Sequence, residues 1–448
     1  MKRRQFIRTG ALASSALVVS KYGFGQQYDF PVVRVPVGER RFKSKAIEDL
    51  ITKLQKDTGN KEIGWLFNNC FPNTLDTTVE FEIINGKPDT YVITGDIDAM
   101  WLRDSSAQVW PYLPFVKEDP HLKELIAGVI NRQTKCILLD PYANAFYKDI
   151  NKVSEWKSDL TEMKPGIHER KWEIDSLCFP IKLAHGYWQQ TGDLSPFNRE
   201  WKEAMRAVIR TFKEQQRLEG KGPYSFQRTT SWATDGVPLG GYGYPAKPNG
   251  MICSMFRPSD DATIFPYLIP SNWFAVFALD WLTDMAKAAG DEALSRQAFE
   301  MGTSLAKVLW DGAIVYTEKF GNIWVYETNG LGSCNLMDDA NMPSHLSIPY
   351  LADNFFANAR QTIWENTRRY VLSHSNPFYF SGKAGAGIGS PHTGLDMIWP
   401  MSVAVQGLTS TDENEMKNCL QLLQNCHAGT GFMHESFHKD DPSKYTRK

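Results

Sequence analysis

The 448-residue chain has no Cys-x-x-Cys pair and an odd number of cysteines, seven, scattered at 70, 136, 178, 253, 334, 419 and 426. That pattern excludes a disulfide framework and a zinc knuckle, and all seven are expected to be mostly buried thiols. Charge of one sign is lacking too: 49 basic against 51 acidic residues leave a net charge of −2, which gives no electrostatic reason for nucleic acid or an anionic membrane as partner. Long apolar runs are missing. The longest near the amino terminus, 9–20, is too short to cross a bilayer as a helix, so no membrane insertion is expected. It follows Lys2-Arg3-Arg4-Gln5-Phe6-Ile7-Arg8, the twin-arginine export pattern, and residues 1–25 are expected to be a signal segment sending the folded protein to the periplasm. No low-complexity linker divides 26–448, and one domain is expected there. Length alone would allow two to four domains, but a ring of helices holds one large core.

Aromatic residues are abundant, at 12% with 14 Trp. The densest functional stretch, 94–112, joins Asp96, Asp98 and Asp104 to Arg103, Trp101 and Trp110. Charges beside indoles make poor core, because an unpaired buried charge is costly. They make a good sugar pocket: flat rings stack on the apolar face of a pyranose, and charged hydrogen bonds grip its hydroxyls. The alternative is a buried Arg–Asp pair bracing a helix start.

Helical periodicity dominates, over 44–56, 105–116, 121–139, 174–190, 198–217, 272–289, 292–309, 357–372 and 412–424. Ser44 and Asp412 are placed to cap helices, and Thr191-Gly192-Asp193 closes one. Strand signals are confined to hairpins at 79–93 and 313–326. The loops 94–104, 222–272, 327–345, 374–394 and 428–447 are rich in Trp, Arg, Asp and Tyr. Functional loops on a rigid helical scaffold suggest an all-α closed ring of helix pairs, with the loops at one mouth. Ser259-Asp260-Asp261-Ala262 and Met337-Asp338-Asp339-Ala340 echo one another, too briefly to establish a repeat.

Asp260 and Asp261 are adjacent between prolines. Two neighbouring carboxyls repel, so one is expected to keep its proton to higher pH and serve as a general acid; the alternative is a pair of helix caps. Near the carboxyl end, His434-Glu435-Ser436-Phe437-His438 has the spacing of a zinc peptidase, two imidazoles on one helix face with Glu as base. Gly429 and Gly431 before it and Asp440-Asp441-Pro442 after it argue against a helix. The extended signature also needs Gly and His where Asp441 and Lys444 stand. A carboxylate base on a Gly-rich loop fits better, with His434 and His438 as neighbours that keep it ionised.

The segments 93–104, 140–146, 169–178, 224–228, 256–262, 338–341, 389–393 and 433–435 together resemble glycoside hydrolase family 125, in order and over nearly everything from residue 45. The resemblance implies an (α/α)6 barrel, an inverting exo-acting α-1,6-mannosidase and an α-1,6-linked mannoside as partner. It implies Asp260 as general acid and Glu435 as general base, about 6.5–9.5 Å apart so that a water fits between. Trp101, Arg103, Asp104, Asp175, Arg257, Asn272, Asp338, Asp339 and His392 are the candidate sugar-binding residues. No cofactor and no metal is required. The family pattern continues past Thr446-Arg447 with an aromatic-rich closing helix, and its expected absence opens a wall beside Glu435. The rivals are a zinc hydrolase using His434, Glu435 and His438, and a relative that grips mannose without cleaving it.

Overall fold

The computed structural model describes residues 30–352 and 359–446; the export segment expected over 1–25 lies outside them. Helices of eight residues or more are α1 (Lys45–Asp57), α2 (Lys61–Cys70), α3 (Leu102–Val109), α4 (Pro120–Leu139), α5 (Ile174–Thr191), α6 (Arg199–Gln215), α7 (Ile269–Ala288), α8 (Glu292–Gly312), α9 (Ala359–Val371), α10 (Pro400–Leu408) and α11 (Glu413–Asn425). Their ends follow local chemistry. Ser44 accepts a hydrogen bond from the Ile47 amide, and Asp119 and Asp412 do the same for Leu122 and Asn414, satisfying amides that the first helical turn leaves open. Gly192 closes α5 in the left-handed conformation, at φ 68°, which glycine adopts without steric cost.

Three expectations are corrected here. The helix expected over 105–116 begins at Leu102 and ends at Val109, giving way to a 3-10 turn over Trp110–Phe115; Pro111 and Pro114 lack the amides an α-helix needs there. Helices α2 and α10 were not anticipated. Their apolar faces are short, although Asn60 caps the first and Pro400 opens the second. Two cysteines are not buried: Cys334 is exposed and Cys70 half-buried, while the other five are buried, and all are free thiols.

Both expected hairpins form, β1 (Val79–Ile84) with β2 (Lys87–Val92) and β7 (Ile314–Thr317) with β8 (Gly321–Trp324). The first turns on Asn85-Gly86, both at positive φ, as a tight two-residue hairpin requires. Further short strands pair as three small sheets: β3 (Met100–Trp101), β4 (Ala145–Phe146) and β5 (Ile167–Glu169); β6 (Tyr267–Leu268), β9 (Glu327–Thr328) and β10 (Cys334–Asn335); and β13 (Met397–Ile398), β14 (Phe437–His438) and β15 (Asp441–Tyr445). A last hairpin joins β11 (Tyr379–Ser381) to β12 (Ala386–Ile388).

Helix α5 lies between α3 and α7, α7 runs along α8, and α10 runs along α11. The first and last pairs meet, since Asn60 Nδ2 donates to Gln424 Oε1 at 3.2 Å and Glu62 Oε1 lies 3.2 Å from His427 Nε2. Trp172, Trp201, Trp273 and Trp324 are fully enclosed between the layers; burying side chains of that size supplies much of the driving force for the packing. The segments that join the small sheets to the helices carry the charged residues described next, and ion pairs link several of them.

Candidate active site

Asp260 sits at the tip of a three-residue turn. The Asp260 amide donates to the Arg257 carbonyl at 2.9 Å, the Arg257 amide donates to the Asp261 carbonyl at 2.8 Å, and Phe256 bridges to Ala262. Pro258 fits the second turn position, and Asp260 takes the left-handed place usually given to Gly or Asn, at φ 67°. This strained backbone holds a carboxyl at the apex of a rigid loop, the kind of outlier that marks functional sites. The helix-cap alternative for Asp260 and Asp261 is thereby excluded, since α7 begins only at Ile269. The turn is braced from several sides. Arg257 Nε donates to Glu327 Oε1 at 2.7 Å, Ser259 Oγ to Asp339 Oδ2 at 2.7 Å, Asn341 Nδ2 to the Pro258 carbonyl at 2.7 Å, and Thr234 Oγ1 to Asp261 Oδ1 at 2.6 Å. The two Asp-Asp-Ala echoes thus touch: the second supports the first.

Behind Asp260 lies a knot of charge. Arg103 Nη1 is 2.6 Å from Glu173 Oε2 and 3.2 Å from Asp175 Oδ2, Nε is 3.7 Å from Asp104 Oδ2, and Nη2 is 3.9 Å from Asp260 Oδ1. Lys171 Nζ donates to the Asp260 carbonyl at 3.1 Å and lies 2.6 Å from Asp235 and 3.5 Å from Glu169. Burial pushes the Asp260 carboxyl up, but Lys171, Arg103, a hydrogen bond with Glu173 and His392 outweigh it and hold it below the ordinary carboxylate range. The expectation that Asp261 raises it is corrected. Cations lie close to Asp260, and the charges of Lys171 and Arg103 outweigh one carboxylate neighbour. Glu173 moves the other way. Its burial, with Asp260 and Asp175 close by, overrides Arg103 and pushes it well above its usual value.

Glu435 stands on the loop between α11 and β14. Gly431 lets that loop pass Trp65 and Asn69, whose side chains would lie 2.7–2.8 Å from any Cβ placed there. His392, on the turn before β13, stands between the two acidic groups, with Nδ1 3.8 Å from Asp261 Oδ1 and Nε2 3.9 Å from Glu435 Oε1. Burial works against its charge, but Asp261, Asp260 and Glu435 together raise its pKa. His392 is thus a neighbour of Glu435 in addition to the two histidines expected from the sequence. His434 stacks on Tyr445 at 3.7 Å, with Nε2 3.1 Å from Thr430 Oγ1, and His438 accepts the Asp440 amide from its place in β14. The helix required by the zinc reading is absent from this segment, which is loop and strand, and no group of three metal-ligating side chains converges among the described residues.

Side-chain exposure sorts the sequence-predicted residues. Asp104, Asp260, His392 and Glu435 are 29%, 28%, 28% and 20% open, the right condition for a polar cleft wall. Trp101, Arg103, Asp175, Arg257, Asn272, Asp338 and Asp339 are all buried. Their expected contact with sugar is corrected for two of them by complete internal pairing. Asn272 accepts from the Ile252 amide and donates to the Ile252 and Leu268 carbonyls. Asp338 accepts from the His345 and Leu346 amides. Asp339, Arg257, Arg103 and Asp175 are engaged through the contacts above, and Trp101 packs its ring edge-on to His168. In 94–112, Asp98 pairs with Lys152 at the surface, and Trp110 lies beneath the Lys182 ammonium in the core. Only Asp104 of that run's three carboxylates joins the cluster.

Sequence reasoning missed Lys171, Glu173 and Asp235. The signal for the first two was an alternation of period two in 169–173: Glu169, Lys171 and Glu173 face the charge cluster, while Arg170 packs over Tyr142 and Tyr224 and Trp172 enters the core. A separate open groove of about 700 Å³, lined by Tyr379, Gln406, Glu415 and Leu422 among others, contains none of these groups.

The sequence profile described as metal-independent α-mannosidase (GH125) matches residues 60–448. A Streptococcus pneumoniae protein described among widely distributed metal-independent α-mannosidases, solved in a non-productive complex with α-1,6-mannobiose, is 37% identical. The match covers 91% of this chain and 95% of that one with a TM-score of 0.86. The meiotically up-regulated gene 157 protein of Schizosaccharomyces pombe is 38% identical over 435 residues, 93% of this chain and 85% of the relative. A bacterial glucoamylase solved with acarbose shares the fold at 11% identity, with a TM-score of 0.50 over 88% of this chain and 56% of that one.

Proposed function

Because the chain belongs to the metal-independent α-mannosidase family, GH125, and is therefore a glycoside hydrolase, we propose that it is an exo-acting α-1,6-mannosidase that inverts the anomeric centre. In this proposal the helix pairs form an (α/α)6 barrel, and the cleft takes the terminal mannose of an α-1,6-linked glycan. The observation that carries it is that His392 lies 3.9 Å from Glu435 and 3.8 Å from Asp261, the chain neighbour of Asp260, while Asp260 and Glu435 are both partly open.

Asp260, as general acid, gives its proton to the glycosidic oxygen as the bond to the anomeric carbon breaks. Glu435, as general base, takes a proton from the water that attacks the other face of the ring, and the product carries the opposite configuration. Arg103 and Lys171 then hold the Asp260 carboxylate until solvent returns a proton. Asp104 and His392 are the open polar groups placed to grip hydroxyls, and the buried set behind them fixes their positions. The relative solved with α-1,6-mannobiose supports the choice of linkage. We also propose export through the segment 1–25, on its paired arginines.

The test follows released mannose and its anomer by NMR with α-1,6-mannobiose and with α-mannosyl fluoride, whose leaving group needs no proton. Wild type is expected to release β-mannose from both. Asp260→Asn should lose about 10²–10⁴-fold on the disaccharide and keep most of its rate on the fluoride, whereas Glu435→Gln loses both. A retained configuration, or binding without turnover in the wild type, refutes the proposal.

A further inference from the structure

Four carboxyl groups, Asp104, Glu173, Asp175 and Asp260, surround the single guanidinium of Arg103 at 3.7, 2.6, 3.2 and 3.9 Å. Glu173 and Asp175 are fully enclosed. Another nearby cation, Lys171, is shared with Asp235 and Glu169, and His392, 3.8 Å from Asp261, is near enough for its charge to act on Asp260. Arg103, with Lys171 and His392 each shared with other carboxylates, cannot neutralise this many carboxylates in a buried site without a large desolvation cost. At least one carboxyl in the knot therefore keeps its proton.

The hydrogen-bond pattern says where. Glu173 Oε2 takes donors from Arg103 and from Ser176 Oγ at 2.9 Å. Its other oxygen, Oε1, and Asp260 Oδ1 are both buried and receive no donor from the described residues; the two side chains face the same guanidinium, at 2.6 and 3.9 Å, near enough for one carboxyl to act on the other. Two carboxylate oxygens meet only when a proton lies between them. From this, and resting on the roles given above, we infer that Glu173 is a positioning residue that stores, between turnovers, the proton which Asp260 delivers to the glycosidic oxygen. The balance is simple. The Glu173 O–H bond breaks as an Asp260 O–H bond forms, and Arg103 already holds the Glu173 carboxylate that results. Asp260 passes the proton to the departing oxygen, leaving both carboxylates ionised against Arg103 and Lys171. Solvent then returns one proton to the pair, matching the one that Glu435 took from water and released. The opposed shifts of the two groups, Glu173 up and Asp260 down, with burial first among the causes of the rise, agree with a proton resting on Glu173. Asp175 and Tyr224 are the remaining titratable groups against Glu173.

The experiment is the pH dependence of kcat/KM for full-length protein on α-1,6-mannobiose, compared with α-mannosyl fluoride, for wild type, Glu173→Gln and Glu173→Asp. In Glu173→Gln the alkaline limb should move toward lower pH and the disaccharide rate fall about 10²-fold or more. The KM should change little, and the fluoride rate should remain. Glu173→Asp keeps a carboxyl and should restore the alkaline limb at a lower rate; it serves alone if the Gln variant does not fold. An alkaline limb that stays in place in Glu173→Gln, equal loss on both substrates, or a limb shifted in Glu173→Asp as far as in the Gln variant overturns the inference. Wild type inactive on both substrates would instead refute the mannosidase proposal.

Discussion

Replacing His392 with Gln keeps a hydrogen-bonding side chain and removes the charge that stands beside the proposed base. The separation of 3.9 Å between His392 Nε2 and Glu435 Oε1 gives about 4 kcal/mol of attraction at an effective dielectric of about 20 and about 1 kcal/mol in bulk water. Both side chains open partly to the cleft, so the lower part of that range applies, about 1–2 kcal/mol. At about 1.4 kcal/mol per unit, that is roughly one pH unit. The sign follows from the role. A base works ionised, the imidazolium favours its ionised form, and removing the imidazolium makes Glu435 hold its proton to higher pH. The acid limb of kcat/KM against pH, measured on α-1,6-mannobiose, should therefore move up by about one unit. The alkaline limb should move the same way, because His392 also favours the ionised form of Asp260. Asp261 stays in place through Thr234, so the turn that carries the acid is not released. An acid limb that stays put or moves down would show that His392 carries no charge next to a working base, and the assignment of Glu435 would fail with it.

Asn272→Ala tests the correction that moved this residue from sugar contact to scaffold. Its loss leaves the Ile252 amide and two carbonyls in the core without their side-chain partner, at about 1–3 kcal/mol for each unsatisfied group; thermal unfolding should shift down by several degrees, while KM stays near wild type. A large rise in KM with unchanged stability would return Asn272 to the cleft. For export, replacing Arg3 and Arg4 together with Lys should leave the protein in the cytosol of a host with a working twin-arginine pathway, read by cell fractionation. Equal periplasmic yield would refute the role given to residues 1–25.

The helices were legible because their apolar spacing and caps are local. Ser44, Asp412 and Gly192 mark boundaries through bonds that reach no further than four residues. The small sheets were not, because Met100–Trp101 or Phe437–His438 become strands only when distant segments pair with them, and two residues carry no period. The site divides in the same way. Asp260 and Glu435 stood out through their neighbours in the chain, Pro258 with Asp261 on one side and Gly429 with Gly431 on the other. Their electrical environment could not be read locally. The sequence puts Asp261 next to Asp260 and His434 next to Glu435, yet adjacency in a turn or loop does not fix which way a side chain points. Among the groups that act on the two carboxyls are Lys171 and Arg103 for one and His392 for both, brought from 89, 157, 132 and 43 positions away. A charge pattern along one strand predicts which residues share a face; it does not predict which face meets which. For the same reason the burial of Asp175, Arg257, Asn272, Asp338 and Asp339 was hidden. Polar residues dense in a loop look alike whether they line a cleft or hold up the residues that do, and only the closed ring of contacts around Arg103 and Glu327 separates the two. A working acid therefore requires the buried layer as much as the open one, because Asp260 carries its proton only if the groups behind it leave one proton to carry.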